Sequence, residues 1–281
     1  MRISNRARRS VGVLSAVLAF GAAALPSPAS ALQCGNGGGN FGAWLQDFKQ
    51  LAAKQGISQS AINAGLASVD YDANVIRLDH SQRSFKLSFE QFYAKRVDGA
   101  LIRRGQSLME RHKTTLDRVE QRFGVPREIV IAIWGLETNY GADSSGKYNI
   151  ISSRATLAYD CRRSEFFVPH LLDALRIVDR RDMSPGEMRG GWAGEIGQTQ
   201  FLPTPYVKYA VDFDGDGRRD LVHSVPDMLA STANFLKGHG WRAGQGWQPG
   251  SANYAVLGEW NKAEVYQRTI AIMAQKLKGG G

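Results

Sequence analysis

The 281-residue chain places one carboxyl group where it can serve as an acid. Glu137 closes the stretch from Val125 to Gly141, in which nearly every other side chain is apolar. It follows Ile133 by four residues and Ile129 by eight, so on a helix it continues an apolar row. At the negative end of that helix, beside dry neighbours, its ionised form is disfavoured. A carboxyl kept neutral near pH 7 can protonate a leaving oxygen, the step that glycosidic cleavage requires. The alternative is an ordinary acid, the first solvated residue after a core helix, paired with one of the many arginines.

Three further groupings carry chemistry. Arg162 and Arg163 precede the aromatic pair Phe166-Phe167, and guanidinium forks suit carboxylates and sugar oxygens as well as they suit surface ion pairs. The run Gly190 to Pro203 is dense in glycine, which lets backbone approach a ligand closely. Within it Trp192 offers a stacking face and Gln200 a hydrogen-bonding amide; a tight loop packed on the core is the other reading. In Asp212-Phe213-Asp214-Gly215-Asp216-Gly217 three acids alternate and a glycine holds the sixth place, as at the start of a calcium loop. His223 stands where the closing glutamate of a full loop belongs, so a complete EF-hand is not expected.

The elements that must hold these residues read as helices. Pro126 suits a first helical position and Gly141 a left-handed stop, bracketing the Glu137 helix. Phe41, Trp44, Leu45, Phe48, Leu51 and Ala52 recur at helical spacing, a new helix starts near Gln59, and a long tract runs from Phe85 to Val97 and on from Gly99 towards Arg122. Short hairpins are expected at Val211–Val222 and Asn253–Glu259. No period repeats, so residues 41–278 form one mainly α (α+β) catalytic domain, preceded by a glycine-rich N-terminus at 32–40.

Residues 1–31 read as a secretory signal peptide: Arg2, Arg6, Arg8 and Arg9, an apolar run from Val11 to Leu25, and small residues at Ala29-Ser30-Ala31. Export to the periplasm follows. Ala31-Leu32-Gln33 lacks the small residue wanted ahead of a lipidated cysteine, so Cys34 does not mark a lipoprotein. An oxidising compartment allows Cys34 and Cys161 to pair; two unpaired thiols are the alternative. The leader holds four arginines and no acids, which leaves +5 of the formal +9 for the rest of the chain. That balance suits an anionic polymer, and without a zinc-finger spacing or an RNA-binding aromatic motif nucleic acid is not the expected partner.

The segments Gly135-Leu136-Glu137-Thr138-Asn139-Tyr140-Gly141, Arg162 to Phe167 and Ala193-Gly194 to Gln200-Phe201-Leu202-Pro203 together resemble the membrane-bound lytic murein transglycosylase B family. The likeness continues through Tyr206, Tyr209 to Phe213, Asn234 and His239-Gly240-Trp241. It implies a lysozyme-like helical fold with a small β element and a deep glycan groove. Glu137 is then the catalytic acid, and Gln200, Arg162, Arg163, Tyr140, Trp192, Tyr206 and Trp260 bind substrate. It also implies a shortened metal loop in which Asp212, Asp214, Asp216, the carbonyl of Arg218 and Asp227 hold a structural calcium ion, with no cofactor for catalysis. Three positions depart from the family: Gly191 replaces a serine, Phe235 a tyrosine, and Trp260 the tyrosine of a Tyr-Asn pair.

The implied reaction is cleavage between N-acetylmuramic acid and N-acetylglucosamine of peptidoglycan glycan strands, giving 1,6-anhydromuramyl ends. No other acid in this part of the chain is comparably set among apolar residues, Asp143 lying in a polar loop; the resemblance implies that the muramic 6-hydroxyl is the nucleophile. A hydrolytic muramidase on the same fold and a non-catalytic peptidoglycan-binding protein are the rivals. The protein is expected to be a monomer, loosely associated at most with other envelope components.

Overall fold

The computed structural model describes residues 32–81, 87–144 and 146–279. The expected signal peptide, and Phe85 at the head of the expected long tract, lie outside the described residues. Thirteen α-helices occur among those described: α1 Phe41–Lys54, α2 Gln59–Leu66, α3 Ala73–His80, α4 Phe89–Arg96, α5 Gly99–Arg111, α6 Lys113–Phe123, α7 Arg127–Thr138, α8 Ile150–Tyr159, α9 Ser164–Asp179, α10 Pro203–Tyr209, α11 Val225–Gly238, α12 Ala252–Trp260 and α13 Glu264–Lys278. The only sheet among them pairs β1, Tyr148–Asn149, antiparallel with β2, Arg189–Gly190.

Helix α7 is the axis of the core. Ile129 to Leu136 are all buried, because α5, α6, α11 and α13 pack around it. Gly135 permits the close approach of α13: a Cβ there would lie 2.9 Å from the terminal methyl of Met273 and 2.7 Å from the Tyr140 ring. On the other side of the core α8 packs along α9 and carries Ile150, Ile151, Ala155, Leu157 and Ala158 into the same interior.

Cys34 and Cys161 form a disulfide, with Cα atoms 5.0 Å apart. It joins the segment before α1 to the turn after α8, where Gly35 N–H donates to Tyr159 O at 2.9 Å and Phe41, Trp44, Tyr71 and Tyr159 form an aromatic cluster.

Two expected hairpins do not form. Asn253–Glu259 lies within α12, because the Ser251 side chain accepts the Tyr254 N–H and caps a helix there. Residues 211–222 form an irregular loop whose backbone N–H groups go to aspartates rather than to a strand partner: Phe213 N and Asp220 N to Asp227, Gly215 N and Gly217 N to Asp212.

Candidate active site

Pro126 caps α7 from just outside, and the helix stops earlier than Gly141. Asn139, Tyr140 and Gly141 have φ values of 50°, 57° and 84°, three successive left-handed residues. The two non-glycine members cost roughly 1–2 kcal/mol each, which the surroundings offset. Thr138 Oγ1 donates to Gln198 O at 2.5 Å and accepts Gly141 N–H at 3.0 Å. Trp134 Nε1 donates to Gln198 Oε1 at 3.0 Å, and the Gln198 amide donates to Val222 O at 2.9 Å. The Tyr140 hydroxyl donates to Leu101 O at 3.0 Å. This reversal fixes the last turn of α7 and therefore Glu137.

Glu137 is half-buried and belongs to two adjoining cavities. One, of about 670 Å³, is lined by Lys95, Arg96, Arg104, Asn139 and Asp143 among others. The second, of about 360 Å³, is lined by Glu195, Thr199, Gln200, Phe201, Leu202, Phe235 and Trp260 among others. A third, shallower opening of about 240 Å³ contains Trp192, shares Gln200 with the second and shares Asp143 with the first. Together they make a groove that crosses the end of α7.

The Trp260 indole N–H donates to Glu137 Oε1 at 2.8 Å. Burial raises the Glu137 carboxyl above its ordinary range; the Trp260 hydrogen bond, the nearby Tyr266 phenol and the charge of Arg96 oppose the rise, and the carboxylate of Glu195 adds to it. Arg96 is anchored by donation to Leu136 O, one residue before the acid. Tyr266 is buried on α13, its phenol raised well above the usual value by burial and by Glu137. The net shift is in the direction general-acid chemistry needs, toward a carboxyl that holds its proton more tightly.

The glycine-rich run is a compact double turn. Ile196 and Phe201 exchange backbone hydrogen bonds at 2.7 and 2.9 Å, Gly194 and Gly197 take positive φ, and Gln200 does so too at 54°. The Gln200 amide donates to Gly197 O at 2.7 Å, which sets the side chain between two of the openings. Phe235 packs against Phe201 and Trp260, with ring centroids 6.0 and 5.0 Å away, so it walls the cavity without a hydroxyl.

Not every residue singled out in the sequence reaches this groove. Arg162 and Arg163 line none of the three openings. Both clasp Asp79, which is 1% exposed: Arg162 Nε donates to Oδ2 at 2.7 Å and Arg163 Nη2 pairs with Oδ1. Tyr206 is wholly buried, its hydroxyl donating to Arg219 O. Tyr140 serves the reversal after α7. Conversely, Arg96, Gln198, Tyr266 and Glu195 were not singled out, and neither was the polar role of Trp260. All four lie far from Glu137 in sequence, so no local pattern marks them; Gly191, against which Glu195 packs, was the one available signal.

In the loop after α10, carboxylate oxygens of Asp212, Asp214 and Asp227 lie within 4.8 Å of one another. Asp216 stays outside that group and accepts the Arg218 N–H at 2.8 Å. Gly215 and Gly217, at φ 85° and 92°, turn the chain around the three acids. Asp227 is buried, and burial raises its carboxyl despite hydrogen bonds from Phe213, Asp220 and Asp214.

Residues 40–252 match the Transglycosylase SLT domain family. The chain belongs to that family. Over 144 residues, 51% of its length, it is 38% identical to membrane-bound lytic murein transglycosylase B of Escherichia coli strain K12, and that match spans 39% of the relative's length. SltB3 from Pseudomonas aeruginosa, solved in complex with NAG-NAM-pentapeptide, is similar at a TM-score of 0.80 and 33% identity, over 86% of this chain and 81% of that one. The same protein with NAG-anhNAM-pentapeptide gives 0.79. The E. coli lytic transglycosylase SLT35 in complex with calcium shares the fold, at a TM-score of 0.73 and 24% identity over 88% of this chain and 96% of that one. The mainly α, lysozyme-like architecture is thus common to members of this family of transglycosylases.

Proposed function

We propose that this member of the family is a lytic transglycosylase, cleaving the bond between N-acetylmuramic acid and N-acetylglucosamine of peptidoglycan to leave 1,6-anhydromuramyl ends. The observation that carries the proposal is Glu137, held with raised proton affinity at the meeting of two cavities. Its carboxyl protonates the bridging oxygen as the C1–O bond breaks. The resulting carboxylate takes the proton of the muramic 6-hydroxyl as that oxygen closes on C1, so the donor is restored within one turnover. Binding of NAG-NAM-pentapeptide and NAG-anhNAM-pentapeptide by SltB3 supports this substrate class.

Gln200, Trp192 and Trp260 are the side chains we assign to the glycan. Arg162 and Arg163, oriented by Asp79 and with 41% and 35% of their side chains exposed, would present their remaining donors to anionic groups of the peptide-bearing strand. Tyr140 and Tyr206 belong to the frame. One observation favours the hydrolytic rival: Glu195 lines the same cavity as Glu137, so a second carboxylate is at hand.

Three convergent aspartates suit a hard divalent cation. We assign calcium to Asp212, Asp214 and Asp227, with the Arg218 carbonyl as a further donor, where it would brace the loop between α10 and α11 and take no part in the chemistry. Asp216 is not in the assigned set. The arginine-bearing leader supports a periplasmic location, and the protein acts as a monomer on glycan strands.

The test is digestion of murein by the purified protein and mass analysis of the products. Anhydro ends lack one water relative to hydrolytic ends. Glu137→Gln should abolish cleavage and retain binding; full activity in that variant would falsify the assignment.

A further inference from the structure

The glycine-rich loop brings a second acid to Glu137, and the surroundings of that acid are shaped for it. A Cβ on Gly191 would lie 2.1 Å from Glu195 Oε2, so the carboxylate occupies the space a side chain at 191 would need. This is the position where the resembling family carries serine. Behind Glu195 stands Arg154 of α8, fully buried, with Nη2 donating to Gly194 O at 3.4 Å. Its Nε and Nη1 have no hydrogen-bond partner, and neither has Glu195 Oε2. The Arg154 guanidinium lies over the Phe167 ring, 5.1 Å from its centroid; burial pushes it down to about 10, and the charge of Glu195 opposes that fall. From the other elements, Arg96 of α4, Trp260 of α12 and Tyr266 of α13 face Glu137. Glu259 shares its smaller cavity, and Lys95, Asp98, Arg104 and Asp143 share the larger one.

We propose that Glu195 is a positioning residue for the proton on Glu137: its carboxylate, seated against Gly191 and backed by Arg154, keeps that proton in place until a glycosidic oxygen accepts it. Two like charges lining one cavity disfavour each other. The same repulsion makes the Glu137 carboxylate a stronger base after donation, when it must collect the 6-hydroxyl proton. The chemistry rests on the transglycosylase reading; the coupling between the two acids does not.

The experiment titrates the Glu137 side-chain carboxyl by carbon-13 NMR, the signal being assigned by its loss in Glu137→Gln. Glu195→Gln should move the midpoint to lower pH. The double variant Arg154→Met/Glu195→Gln removes both charges, leaves neither alone, and should show the same movement. With murein as substrate, the alkaline limb of kcat/KM should move in the same direction. The kcat loss should be on the order of tenfold, short of the ~10²–10⁴ expected for losing the donor itself. A midpoint that stays or rises in the folded variants overturns the proposal. If it falls while the wild-type protein releases no anhydro product, the coupling stands and the transglycosylase reading fails.

Discussion

Asp79→Ala tests how the arginine pair is held. Asp79 is 1% exposed, and each of its carboxylate oxygens takes one arginine: Oδ2 that of Arg162, whose Nη2 also donates to Asp79 O at 3.0 Å, and Oδ1 that of Arg163. Charge-assisted hydrogen bonds of this kind contribute about 1.5–3 kcal/mol each. Both arginines keep more than a third of their side-chain surface in water and can be rehydrated, so the low end applies and the pair is worth about 3 kcal/mol. At about 2–4 °C per kcal/mol for a domain of this size, Tm should fall by about 6–12 °C. Urea unfolding followed by circular dichroism should show a lower midpoint at unchanged m. Because Asp79 sets the direction of both guanidinium groups, KM for a peptide-bearing murein fragment should rise while kcat holds. A stability change below about 1 kcal/mol together with an unaltered KM would refute the clasp.

Replacing Cys34 and Cys161 together by serine reopens a loop with a sequence separation of 127, and the chain-entropy relation puts the loss at up to about 5 kcal/mol; equal thermal midpoints with and without reductant would count against it. Calcium added to chelator-treated protein should raise Tm, by the equivalent of about 2.7 kcal/mol at a hundredfold excess over Kd, and Asp227→Asn should remove the response in scanning calorimetry. His170 is buried, accepts the Thr204 N–H and is pushed down to about 3 by its surroundings, so it stays neutral in the fold. Between pH 6.5 and about 3 only the unfolded chain gains this proton, so the contribution is intact above 6.5 and is lost as pH falls, by at most about 1.4 kcal/mol per unit. His170→Gln should flatten that part of the stability profile. Glu137 has the opposite sign. Its raised proton affinity gives stability that is present at low pH and lost as pH rises past the ordinary carboxyl range of 4.5, so the advantage of Glu137→Gln over wild type in urea unfolding should grow with pH.

The helix that bears Glu137 was legible because burial on all sides leaves a uniform apolar run, and a uniform run needs no partner to be recognised. The turn that gathers Asp212 and Asp214 was legible for a similar reason, since its alternation of acids and glycines is local, although the place of Asp216 outside that group was not. Strands were misassigned at 253–259, where a single serine hydroxyl at 251 decides for helix over a short apolar alternation. They were misassigned at 211–222, where aspartate side chains satisfy the backbone that a ladder would otherwise serve. Trp260 read as an apolar wall because ring size dominates its place in a pattern, whereas its consequence for Glu137 runs through one nitrogen 123 residues away in sequence. Gly191 read as a loss of a hydroxyl; in space it is a vacancy filled by Glu195.

The two mouths that meet at Glu137 differ in character. Lys95, Arg96 and Arg104 border one, whereas Phe201, Phe235 and Trp260 border the other. On the proposed reaction, a severed strand would leave one fragment beside charged groups and the other beside rings. Salt screens the first kind of grip within about 8 Å at physiological ionic strength and leaves the second nearly untouched. The departure of the two halves would then be separable, with raised ionic strength hastening one and not the other.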